Sequence, residues 1–190
     1  RMVIWLFGLS GAGKTTIGRR VWQLVRQAEP GVVFLDGDEV RALAGEETGV
    51  AAHTVEARRR SGARLIRLCE LMDRQGLHVI CCVLSIFPEQ RAACRREFSA
   101  FFSAFVDVPM AQLEARDSKG LYASARAGKL KNVVGVDIPF DRPKDADLVI
   151  ANDIVGADMD ALASRVVQVS GILSNTCERV PYPYTNIDIA

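Results

Sequence analysis

Residues 8–16 read GLSGAGKTT, a spacing of glycine, lysine and threonine that suits the binding of a polyphosphate. Glycines let successive backbone N–H groups converge on phosphate oxygens through turns that a Cβ would block. Lys14 can set its ammonium against the β- and γ-phosphates and Thr15 can offer a hydroxyl to Mg²⁺, while the helix that follows points its positive end at the same anion. The apolar run at 3–7 supplies the strand that such a loop needs in front of it.

Phosphoryl transfer requires mainly positioning and charge neutralisation, and other polar residues offer candidates for both. Asp36 and Asp38 close an apolar stretch; one can hold a metal through its water shell while the other takes a proton. Asp38 is the favoured base, and capping of the next helix is the competing structural use of the pair. Arg41 follows at a spacing that reaches an acceptor's phosphate. Arg58, Arg59 and Arg60, with Arg64 and Arg67, lie in a basic helix whose charges would usually form a solvated face, though Arg60, Arg64 and Arg67 share a stripe that could line an anion site. Arg116, Lys119, Arg126, Lys129 and Lys131 cluster in a late glycine-rich segment, with Lys119 the strongest candidate to lie over the transferring group.

The elements that must position these residues alternate. Strands are predicted at 3–7, 32–35, 78–85, 102–108 and 147–151, and helices at 14–28, 54–75, 89–98, from Pro109 onward and at 157–173. This order implies an α/β fold of P-loop NTPase type, three layers deep, with a mostly parallel sheet and helices on both faces. Ligands of such sheets bind outside the carboxyl ends of the strands, the edge where the loop, Asp36, Asp38, Ser85 and Asp107 fall. Residues 117–143 lack a clear core face and carry clustered charge, which predicts a mobile lid. The organisation expected is one domain over 1–173 and an extended tail over 174–190.

Composition narrows the function classes. The 190 residues carry 24 basic and 23 acidic side chains, so global charge favours neither polymeric nucleic acid nor an anionic membrane. Apolar runs are strand-sized, far below the roughly 20 residues of a membrane span, and the first residues lack a signal-peptide pattern. The expectation is a soluble cytoplasmic protein. Its five cysteines are odd in number and sit mostly in apolar segments, as buried reduced thiols do. Their spacing with His53 and His78 predicts no structural metal.

Taken together, GLSGAGKTT at Gly8, LDGDEVR at Leu35, RAACR at Arg91 and above all RDSKGLYASARAGKLKNVVGVDIPFDRP at Arg116 resemble the adenylyl-sulfate (APS) kinase family over Ile4 to about Asn152. The resemblance implies transfer of the γ-phosphoryl group of MgATP to the ribose 3′-hydroxyl of a nucleoside 5′-diphosphate-like acceptor, in a homodimer. By position, Gly8, Ser10, Gly11, Ala12, Gly13, Lys14, Thr15, Thr16 and Arg116 would bind ATP, with Thr15 and Asp36 toward Mg²⁺. Asp36, Asp38, Lys14 and Lys119 would be catalytic. Arg41, Val50, Arg58, Ser85, Lys131 and Val133 would meet the acceptor; in some members the serine near the site is a phosphoserine.

The departures from the family concern the acceptor. Residues 48–58, TGVAAHTVEAR, lack the aromatic, arginine and asparagine expected there, and NVVG at 132–135 lacks a second aromatic. Val50 and Val133 would thus replace the two phenylalanines that clamp adenine. Stacking is worth ~1–3 kcal/mol per base, so adenine affinity would fall on the order of tenfold to a thousandfold. The acceptor expected is either APS, the conservative reading, or cytidine diphosphoramidate. A different small-molecule P-loop kinase, or a nucleotide-binding module without turnover, are the alternative readings.

Overall fold

The computed structural model describes residues 1–45, 53–117, 119–153 and 156–174. Five strands form one sheet in the order β2-β3-β1-β4-β5: β1 Val3–Phe7, β2 Val33–Asp36, β3 Val79–Val83, β4 Phe101–Asp107 and β5 Leu148–Ala151. Every pairing is parallel, with Val3 opposite both Val79 and Phe101. Every residue of β1 is buried, as expected for a central strand covered on both faces.

Alternation along β1 divides the core into two layers. Met2, Ile4 and Leu6 pack with Ile17, Val21 and Val25 of α1 (Lys14–Arg26) and with Ala163 and Val166 of α7 (Met159–Ser170). Val3, Trp5 and Phe7 face Leu65 and Cys69 of α3 (Val55–Arg74) and Cys94 of α4 (Pro88–Glu97). Cys69, Cys81, Cys82 and Cys94 are free and buried; Cys177 lies outside the described residues. No helix among the described residues is long and apolar enough to cross a membrane.

Local chemistry sets the helix ends. Thr54 Oγ1 accepts the Ala57 N–H at 3.1 Å at the start of α3, and Asp158 caps α7 on the N–H groups of Asp160 and Ala161. By contrast, α1 begins at Gly13 with no side-chain cap, so its first N–H groups remain available to an anion. The strands lie within a residue or two of the predicted ones. Two short helices, α2 (Gly37–Leu43) and α6 (Leu121–Arg126), were hidden in segments read as turn and lid; α5 is Met110–Arg116.

The expectation that 117–143 lacks a core face is overturned. Tyr122, Val133 and Val134 are buried in the same cluster as α1, and the Tyr122 hydroxyl donates to Ser10 O at 2.7 Å. Burial, followed by the acidic neighbours Asp117 and Glu114, pushes the phenol up to about 12, so this donor is retained at any ordinary pH. Irregular spacing concealed the face: these apolar residues follow neither the helical nor the strand period.

Arg91 locks the second layer to the sheet. Only 4% exposed, it makes two 2.8 Å bonds to the Asp145 carboxylate, donates to Ser85 O at 2.8 Å and lies 4.6 Å from the Phe7 ring centroid. Hydrogen bonds to charged groups contribute about 1.5–3 kcal/mol each. Arg91→Met is expected to lower stability by about 3 kcal/mol, read as a fall in the urea midpoint; an unmoved midpoint would remove Arg91 from this role. The Arg91 guanidinium holds the Asp145 carboxyl below its usual range. A carboxylate depressed in the folded state gives stability that is complete above its unfolded pKa of about 3.9 and lost as pH falls through the folded value. The wild-type midpoint should therefore drop below about pH 4, and the Asp145 part of that drop should vanish in Arg91→Met.

Candidate active site

The carboxyl edge of the sheet opens into a cavity of about 590 Å³. Its floor is the loop between β1 and α1, where two glycines are required by geometry. A Cβ on Gly8 (φ +153°) would sit 2.5 Å from Val106 O, and one on Gly13 (φ +96°) 2.7 Å from Asn152 Nδ2. Lys14 Nζ folds back to donate to Leu9 O at 2.8 Å. Burial lowers its pKa against the opposing pull of nearby carboxylates, Asp38 and Asp36 among them.

Asp36 serves two partners at once. Its Oδ2 accepts the Thr15 hydroxyl at 2.6 Å, and its Oδ1 caps α2 by accepting the Asp38 N–H at 2.9 Å. The capping use that competed with a site role thus coexists with a tie to the phosphate loop. Asp38, one residue inside α2, projects into the cavity, where Arg41 pairs with one carboxylate oxygen and Lys119 Nζ lies 3.3 Å from the other. Desolvation raises its pKa, but Arg41 and Lys119 outweigh it and hold the group below the usual carboxylate range.

The cavity brings together Ser10, Gly11, Gly13, Lys14, Thr15, Thr16, Asp36, Asp38, Arg41, Arg58, Ser85 and Lys119. Ser85 is buried at φ +51°, a strained conformation for a non-glycine residue, with its Oγ unpartnered. Gly8 and Ala12 are buried beneath the loop and do not line the space.

Several expected residues stand elsewhere. Val133 is 1% exposed within the core cluster, and its neighbour Val134 lines the cavity instead. Lys131 is exposed and outside the lining. The stripe of Arg60, Arg64 and Arg67 faces outward rather than forming an anion site, because α3 turns Leu65 and Cys69 toward the sheet. Val50 lies outside the described residues. Arg116 is also outside the lining, donating to Asn152 O at 2.9 Å.

Sequence reasoning missed Asn152 and His53. Asn152 is 2% exposed, and its Nδ2 donates to Ala12 O of the loop at 2.8 Å. Its place just after β5, at the ligand edge, was the available signal. His53 lines the cavity beside Arg58, a place that its spacing from the cysteines does not signal.

The family model described as adenylylsulphate kinase matches residues 1–151. The chain belongs to this family. It is 41% identical over 170 residues to the bifunctional enzyme NodQ of Azospirillum brasilense, covering 88% of this chain but only 26% of that longer protein. It therefore spans about a quarter of the bifunctional relative. It is 36% identical over 150 residues to the cytidine diphosphoramidate kinase of Campylobacter jejuni, covering 79% of this chain and 85% of the relative. Among solved structures, the APS kinase CysC of Mycobacterium tuberculosis in complex with AMPPNP and APS superposes with a TM-score of 0.77 at 32% identity, covering 88% of this chain and 96% of that one. Family membership accounts for the parallel sheet with its phosphate loop at the carboxyl edge.

Asn152→Ala would leave the Ala12 carbonyl buried without its donor, costing about 1–3 kcal/mol. The expected result is a lower urea midpoint together with weaker calorimetric binding of a non-hydrolysable ATP analogue. Unchanged values for both would show that the loop holds itself.

Proposed function

We propose that this protein is an ATP-dependent nucleotide 3′-kinase, acting in the cytoplasm on an APS-like acceptor, either APS or cytidine diphosphoramidate. The observation that carries this reading is the single cavity in which Lys14 and Thr15 of the loop, the Asp36–Asp38 pair, Arg41, Arg58 and Lys119 meet. It has room for a triphosphate end and an acceptor together.

In this reading the loop N–H groups and Lys14 bind the β- and γ-phosphates of ATP. Arg41 orients the acceptor through its phosphate, and segment 117–143 closes so that Lys119 covers the transferring group. Asp38 receives the proton of the 3′-hydroxyl as its oxygen bonds to the γ-phosphorus and the bond to the bridging oxygen of ADP breaks. Phosphoryl transfer runs through a loose transition state, so a carboxylate held ionised by two cations suffices as proton acceptor; the incoming phosphates would draw those cations away. Asp36 is buried and ties Thr15 to the start of α2, whereas Asp38 is exposed to the cavity, which favours Asp38 for this step.

Mg²⁺ fits the donors present. Thr15 and Asp36 offer hard oxygens, the donors suited to an ion that keeps several waters and takes phosphate oxygens as ligands. When bound, it neutralises charge on the phosphates. The assembly proposed is a homodimer, as the resemblance implies, to be read by sedimentation.

The deciding measurement is a panel of acceptors assayed with MgATP, scoring 3′-phosphorylated product from APS, cytidine diphosphoramidate and related conjugates. Transfer to neither nucleotide would overturn the reading. Asp38→Asn should lower kcat by about 10²–10⁴-fold while calorimetric ATP binding persists; unchanged turnover would remove Asp38 from the base role. Since Asp38 must be ionised and Lys119 helps keep it so, Lys119→Met should raise the Asp38 pKa. The acid limb of the kcat/KM profile would move to higher pH, and an unmoved limb would show that another group sets it.

A further inference from the structure

Arg58 is held by one partner five residues before it and another 74 residues after it. Its Nε donates to His53 O at 3.0 Å, and its Nη2 lies 3.1 Å from His53 Nδ1 and donates to Asn132 O at 2.9 Å. The Asn132 end is itself fixed. Asn132 adopts φ +62°, a left-handed conformation that asparagine tolerates. The Asp137 carboxylate accepts the N–H groups of Asn132 and Val133 at 2.5 and 2.6 Å. The guanidinium therefore joins α3 to the turn at 132–137, and it does so at the cavity wall.

This arrangement fixes the imidazole. A guanidinium only donates hydrogen bonds, so His53 Nδ1 must accept, and the ring proton resides on Nε2. Burial and then the adjacent Arg58 lower the His53 pKa, so the ring is neutral at ordinary pH. Arg58 Nη1 has no partner among the described residues. Arg58 and His53 thus bring hydrogen-bond donors and no side-chain acceptor of their own to a wall that Leu130, Val134 and the acceptor-capable Ser61 and Gln90 also line.

We propose that Arg58 and His53 read the acceptor's base as a donor-only edge, selecting cytosine over adenine. This rests on the nucleotide-kinase reading above and adds the base to it. The pairing edge of cytosine carries two neighbouring acceptors, O2 and N3, beside one amino donor. The pairing edge of adenine offers one acceptor, N1, beside its amino donor. Adenine therefore leaves one donor of the wall unpaired, a loss that discriminates by about five- to 150-fold. Small apolar side chains alone cannot make this choice, because they reward any base of suitable size.

The test uses two acceptors that differ only in the base, adenosine 5′-phosphosulfate and cytidine 5′-phosphosulfate, with MgATP and the full chain. The wild-type protein is expected to favour the cytidine conjugate in kcat/KM by about tenfold or more. Arg58→Met removes the bridge, and His53→Phe replaces the N–H with a stacking face. Each should lower the cytidine-to-adenosine ratio at least about tenfold. Both acceptors are assayed on one preparation, so any loss of folded protein cancels from the ratio. Calorimetric binding of cytidine and adenosine 5′-monophosphates supplies the same ratio where turnover is too low to measure. A wild-type preference for adenosine, or a ratio that neither variant moves, overturns the base edge and leaves the kinase reading standing. Absence of transfer to either conjugate overturns the kinase reading and the proposal with it.

Discussion

The buried Asp36 carboxylate is the constraint on which the site depends. One oxygen accepts the Thr15 hydroxyl and the other the Asp38 N–H, so a single group ties the start of α1 to the start of α2. The strand beneath it explains the precision: β2 pairs in register with β3, placing Asp36 opposite Cys82, whose thiol in turn donates to Lys14 O at 3.3 Å. Burial raises the Cys82 pKa, so it remains a neutral thiol and adds no charge below the loop. Phosphate loop, acidic pair and sheet edge consequently form one rigid unit, and rigid elements are what preorganised charge requires.

Around this unit the opposite wall is assembled from parts that share no local signal. Tyr122 reaches the loop at Ser10 O, Asn152 reaches it at Ala12 O, and Arg58 joins the start of α3 to Asn132. The described residues of 117–143 thus belong both to the cavity wall and to the core. Its cations remain at the rim, where Lys119 meets Asp38, while its valines anchor it. The exposed Lys119–Asp38 pair contributes only about 0–1 kcal/mol, so it is the buried side chains that hold the segment in place.

The parts of the fold legible in the sequence were those encoded by neighbours. Continuous apolar runs announced β1, β3 and β4 because both faces of a parallel sheet are covered. The glycine spacing announced the loop because backbone conformation there is set within a few residues. The α2 helix escaped notice because it is seven residues long and buries none of them, leaving no periodicity to read. Val133 is placed at the cavity by analogy of position, yet it packs in the core cluster and its neighbour Val134 lines the cavity, a choice made by the turn that begins there. Arg58 is expected at the acceptor by position, but its bond to Asn132 O needs a partner 74 residues away.

The sequence by itself determined the phosphate-binding loop, the α/β alternation and the inventory of charges, all consequences of short-range spacing and of side-chain chemistry. Only the tertiary structure decided which charges face one another. The Arg58 to Asn132 bond spans 74 positions and the Asn152 to Ala12 bond 140. Contacts of such separation depend on strand order and register, which bring distant residues within hydrogen-bond reach. Hydrogen bonds act over about 3 Å, so chemistry that depends on them is settled by packing and cannot be read from residue types in a row.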